Sequence, residues 1–184
     1  MRLWPTLLLL AALCLGADAA RADQNDPGLP ALFDRLREAR DPFEAQRIEG
    51  AIWEIWMTSD NPEVNRLMAE GVTAMATVDY KAALASFDRI VAIAPAFAEG
   101  WNKRATVLYL MGDYAASLRD VDRTLALEPR HFGALSGLGL IQSELHHEEE
   151  ALEAFERALA INPHMPGAQR QADELRRHIR DHEI

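Results

Sequence analysis

His178 and His182 stand four residues apart near the end of this chain, and on one helical turn they could offer two imidazoles to a metal ion. Two ligands make a weak site, so solvated surface histidines are the plainer reading. The same holds for His146 and His147, which fall in a turn. Trp53 and Trp56, three apart with Ile52 and Ile55 beside them, could stack on a ligand, but aromatics in such company more often anchor a core, here the one expected between the N-terminal helices and the unit that follows them. Beyond these, chemistry is sparse. There is no phosphate-cradling glycine loop and no metalloprotease helix motif. The serines, histidines and carboxylates show no nucleophile-plus-base spacing. The single cysteine, Cys14, sits in an apolar N-terminal stretch. The expectation is therefore no catalytic residue, no cofactor and no metal; an enzyme whose site forms only in the fold is the remote alternative.

The elements that carry these residues recur every 34 positions. Pro95, Pro129 and Pro163 keep that spacing, and so do Leu84, Leu118 and Leu152, then Arg89, Arg123 and Arg157. Small residues recur at Gly71, Ala105 and Gly139, and again at Ala83, Ser117 and Ala151. A fixed period of this length marks an α-solenoid, in which each unit buries its apolar face only by stacking on the next. Each unit, residues 64–97, 98–131 and 132–165, divides into two amphipathic helices around a short break, with a proline ending the second. Asp79 and Asp113 follow two of the breaks and are placed to cap the next helix. Residues 31–63 show the same helix–break–helix layout with poor residue matches, and read as a degenerate repeat capping the stack. Residues 166–184 read as one charged C-terminal capping helix.

The first 19 residues are different material. Arg2, the apolar run to Leu15 and the Ala17-Asp18-Ala19 segment give the layout of a cleaved secretory signal. The run is well short of the roughly 20 residues needed to span a bilayer. An uncleaved anchor, or lipidation at Cys14, is the alternative. Cleavage would remove the only thiol, so no disulfide would form. Residues 20–30, polar and with two prolines, read as a flexible leader. The net charge of −10 makes nucleic acid an unfavourable partner, and no stable membrane insertion is expected after processing.

The run Trp101…Ala105…Leu108…Gly112-Asp113-Tyr114…Ser117-Leu118…Leu125…Pro129 resembles a tetratricopeptide repeat. Leu135, Gly139, Ala151, Phe155, Ala158 and Pro163 repeat the pattern, and Gly71, Tyr80, Ala83, Phe87 and Pro95 carry it in the first unit. Glu70, Ala74 and Glu148 depart from it. The resemblance implies an all-α, right-handed solenoid of antiparallel helix pairs, and the whole chain is similar to secreted tetratricopeptide proteins of Gram-negative bacteria. That likeness implies a periplasmic location. It also implies that the first helix of each pair lines a concave groove, floored by Met68, Val72 and Met75, then Asn102, Thr106 and Tyr109, then Ser136, Leu140 and Ser143. Arg170, Glu174 and Arg177 would continue it.

Some members of that family grip a C-terminal carboxylate with several lysines and asparagines. Here Met68 and Val72 take two of those places, and only Asn102 and Lys103 remain as donors, too few for a charged end. The methionines suit an apolar or amphipathic protein segment instead, unless the N-terminal helices or a second copy cover them. The resulting expectation is a non-catalytic scaffold or assembly adaptor holding a partner segment in the groove. A self-associating subunit, with the stripe buried in a homo-oligomer, is the alternative.

Overall fold

Helix boundaries fall where capping side chains can satisfy free backbone N–H groups. The Asp41 carboxylate accepts from the Phe43 amide, Asn61 from Glu63, Asp79 from Ala82 and Asp113 from Ala116. Pro42 and Pro62 open the helices that follow Asp41 and Asn61, where their missing N–H costs nothing. The computed structural model describes residues 23–182; the stretch read as a signal, with Cys14, lies outside them. Among the described residues there are nine α-helices and no strand: α1 (Leu29–Glu38), α2 (Pro42–Met57), α3 (Pro62–Ala76), α4 (Tyr80–Ile93), α5 (Ala98–Leu110), α6 (Tyr114–Leu127), α7 (Phe132–Glu144), α8 (Glu148–Ile161) and α9 (Pro166–His182). None is long and apolar enough to cross a membrane.

Three pairs, α3–α4, α5–α6 and α7–α8, stack in order, and α9 packs on α8. The architecture is the all-α solenoid of helical repeats that the 34-residue period predicts. Within each pair, a small residue on the first helix receives a large one from the second. A Cβ on Gly71 would lie 2.5 Å from the Phe87 ring, and one on Gly139 would lie 2.7 Å from that of Phe155. In the middle pair the same two offsets hold Ala105 and Val121, which share one apolar cluster. Where the second helix spends a phenylalanine, the first has given up its side chain, and the backbones approach closely.

The turns inside the pairs also repeat. Val78, Gly112 and His146 occupy one offset, all at positive φ (61°, 81° and 60°). Glycine takes this conformation freely, whereas a β-branched residue there is a genuine outlier. Val78 is exposed, and carries the strain without burial in return.

The N-terminal helices depart from expectation. They do not extend the stack as a further repeat. Instead α2 runs across the face made by the first helices, with its 16 residues covering about 24 Å. Met57 at its end packs against the cluster holding Met68 and Val107. Trp53 and Trp56 meet His131 and Phe132 at the start of α7. Glu49 accepts from Asn162 beyond α8, at 3.2 Å. Leu29, Phe33 and Leu36 of α1 complete an apolar cluster with Ile48, Ile52, Trp56 and Phe132. The physical reason is composition: this apolar stripe is matched by Phe132, Ile161 and Met165 along the side of the solenoid, not by α3 and α4. The described part of the stretch read as a flexible leader is docked on the repeats. Asp23–Asn25 form a 3-10 turn, and the buried Gln24 donates to the Ala96 carbonyl (2.6 Å) while accepting from the Ala98 amide.

Candidate segment-binding groove

The first-helix face divides into a closed part, beneath α2, and an open part beside it. The closed part is built on Glu99, on the first turn of α5 and fully buried. Its Oε2 accepts from Asn102 Nδ2 at 2.9 Å and from His131 Nε2 at 2.8 Å. The other ring nitrogen of His131, Nδ1, accepts from the Ala134 amide and so caps α7. That bond fixes the neutral tautomer with its proton on Nε2. Lys103 Nζ stands 3.1 Å from Glu99 Oε1 and under the Trp53 indole, 5.5 Å from the ring centroid. Trp56 lies flat on the His131 ring at 4.1 Å. Burial by itself would raise the Glu99 carboxyl; the His131 hydrogen bond and the Lys103 charge outweigh it and hold the group below the usual carboxylate range.

The open part is a cleft of about 260 Å³ between α5 and α7. Ala105, Leu140, Ile141 and Met165 make it apolar, while Asn102, Thr106, Tyr109 and Ser136 supply polar atoms. A second cleft shares Ser136, Leu140 and Met165 and reaches Glu49, His164 and Arg170 at the start of α9. Burial and the Glu144 carboxylate, 3.5 Å from the Tyr109 hydroxyl, push that hydroxyl's pKa up. It stays a neutral O–H donor.

The groove expected from the sequence is therefore only partly assembled. Asn102, Thr106, Tyr109, Ser136 and Leu140 come together in the cleft. Met68 does not: it is 3% exposed inside the first repeat's core, with Met75 packed against the same cluster. Val72 is 37% exposed, outside the cleft. Ser143 turns its hydroxyl onto the Gly139 carbonyl. Lys103 is committed to Glu99 and is no free donor. Of the C-terminal continuation, Arg170 lines the second cleft, whereas Glu174 and Arg177 are exposed on α9. The tryptophans are core, but against the third repeat and not the first. His178 pairs with Glu148 at 2.6 Å, and His182 bonds the His178 carbonyl. Glu99 and His131 escaped the sequence reading. The signal available was that Glu99 follows Ala98 in a polar-looking first turn, while His131 stands at the residue before α7 where a cap is needed.

A second feature reads only in register. Ala96, Arg130 and His164 share one offset in the three inter-repeat loops, and each holds the N-terminal segment. Ala96 takes Gln24, the Arg130 guanidinium sits 4.4 Å from the Phe33 ring, and His164 Nε2 donates to the Leu36 carbonyl at 3.1 Å. Arg130 is aimed by two hydrogen bonds to Glu128.

Stacked helix pairs with an apolar cleft on the first-helix face define a helical-repeat solenoid of the interaction-module class. Residues 132–165 match the tetratricopeptide-repeat profile. A TPR repeat-containing protein of Rhizobium etli is 40% identical over 147 residues, which is 80% of this chain and 72% of that one. The chain belongs to the tetratricopeptide-repeat family. Among solved structures, it is similar to the Sgt2 TPR domain from Aspergillus fumigatus at 25% identity and TM-score 0.62, over 67% of this chain and 83% of that one. The first TPR of Spaghetti (RPAP3), bound to the HSP90 peptide SRMEEVD, shares the fold at 20% identity and TM-score 0.63, over 65% and 95% of the two chains.

Proposed function

We propose that this protein is a non-catalytic interaction scaffold that holds a segment of a partner protein in the cleft between α5 and α7. The observation that carries the reading is the cleft itself. It offers an apolar floor from Leu140, Ile141 and Met165 under side-chain donors and acceptors from Asn102, Thr106, Tyr109 and Ser136, the pairing that gives a segment both burial and orientation. The solved RPAP3 domain with its bound peptide supports segment binding as a use of this fold. With Lys103 occupied, an apolar or amphipathic segment suits this cleft better than an acidic chain end.

Ser136 is half-buried between the two clefts and sits on a helix, where arginine is well tolerated. Ser136→Arg should keep the helical circular dichroism and melting of the wild type while filling the cleft with a charge. Affinity capture from a periplasmic extract of the source cells should then lose the proteins that the wild type retains. A folded Ser136→Arg protein that captures the same set would move binding off this face.

We further propose that the protein works after export. Intact mass of the exported protein should correspond to a start near Ala20. A start at Met1, or a lipid on Cys14, would make it a membrane-tethered scaffold instead.

A further inference from the structure

The α1–α2 hairpin covers the lower half of the face on which the partner segment is placed above. We propose that it is a displaceable resident ligand of that face, and that the partner it yields to is an amphipathic helix presenting two aromatics three residues apart. This rests on the segment-binding reading and deepens it by naming the chemistry of the partner.

Three observations support exchange rather than permanent closure. First, the grip on the N-terminal segment is repetitive. Ala96 holds Gln24 just ahead of the hairpin, while Arg130 and His164 take Phe33 and Leu36 of α1, so the solenoid offers one contact from each inter-repeat loop at a regular pitch. Second, the seat is shaped for an indole. A Cβ on Gly133 would lie 2.6 Å from Trp53 Cη2, and Lys103 lies under the same ring. A helix arriving from elsewhere finds that recess ready-made. Third, the resident fits imperfectly. Its docking buries the Trp56 indole N–H without a hydrogen bond, a cost that a competing helix bringing an acceptor to the indole at that position avoids. The hairpin's apolar cluster meets the solenoid through Phe132 and Ile161, at the ends of α7 and α8, and Met165 in the loop after α8, and Met57 reaches the first repeat's cluster. Most of the core inside the helix pairs is built from other residues. Its release need not dissolve the stack.

The probe is a fluorescent peptide with the wild-type sequence of residues 41–58. The receptor is the full chain carrying Phe33→Ala and Trp53→Ala, which loosen the hairpin while leaving the repeat residues of the seat intact. The variant should bind the peptide at least tenfold more tightly than the wild type does, and a peptide lacking both tryptophans should not compete. A folded variant that binds no better than wild type overturns the proposal. Native-state hydrogen exchange on the wild type provides a test should the variant fail to fold. Amides of α2 should exchange through an opening that leaves α5 and α7 protected, and exchange of all three only by global unfolding overturns the proposal as well. If these results are negative while Ser136→Arg still loses its partners, this inference falls and the scaffold reading stands.

Discussion

Glu99→Ala is expected to cost the folded protein about 3–5 kcal/mol, the usual result of removing one member of a buried charged pair. In a chain of this size that corresponds to a fall in melting temperature of roughly 6–20 °C. The cause is what remains behind. Lys103 keeps its charge under the Trp53 ring, the His131 N–H loses its acceptor, and Asn102 loses its own. His131 also caps α7 and carries the stacked Trp56, so the loss reaches the third repeat and the hairpin together. Glu99→Gln should cost less, because an amide oxygen still accepts from His131.

The two variants also separate charge from shape through pH. The folded-state carboxyl of Glu99 is depressed, so its contribution is fully present above the ordinary glutamate value of about 4.3 and is lost as pH falls through the lower folded value. Urea unfolding of the wild type should weaken over that acidic interval, and Glu99→Gln should flatten that part of the profile. A Glu99→Ala protein within about 1 kcal/mol of wild type at neutral pH would mean that the carboxylate is hydrated, and the buried centre would have no energetic role.

Most of the solenoid is legible in the sequence because its rules are local and repeated. The 34-residue spacing, the proline stops and the caps at Asp79 and Asp113 each depend on neighbours within a few residues, and each lies where the pattern places it. That Asn102, Thr106 and Tyr109, and likewise Ser136 and Leu140, share one face follows from helical phase in the same way, whereas the family resemblance is what makes that face a groove. The α1–α2 hairpin was not legible. Its two amphipathic stripes show that it must bury a face, but periodicity does not say against what, and stacking on α3–α4 and crossing the groove satisfy the same pattern. The deciding contacts, Glu49 with Asn162 and Leu36 with His164, join residues 113 and 128 positions apart. Met68 shows the consequence. Its phase places it on the first-helix face, and the Met57 side chain from α2 joins the cluster that buries it.

The size matching inside the helix pairs gives the last prediction, and it runs against helix propensity. Exchanging glycine for alanine within a helix normally favours folding by about 0.8–1 kcal/mol. Gly139→Ala is expected to do the opposite, costing about 1–3 kcal/mol, because the added methyl must displace the Phe155 ring. Phe155→Val alone should also destabilise, by opening a cavity beside a glycine that offers nothing to fill it. Together they rebuild, in the third pair, the alanine and valine that the second pair holds at Ala105 and Val121. The double variant should therefore be more stable than the sum of the single effects by about 0.5–3 kcal/mol, the range expected of residues in direct contact. Urea denaturation of the four proteins measures that coupling. Additive losses would show that the two positions do not share one packing constraint, and that the small residues recurring every 34 positions answer to something other than the ring on the facing helix.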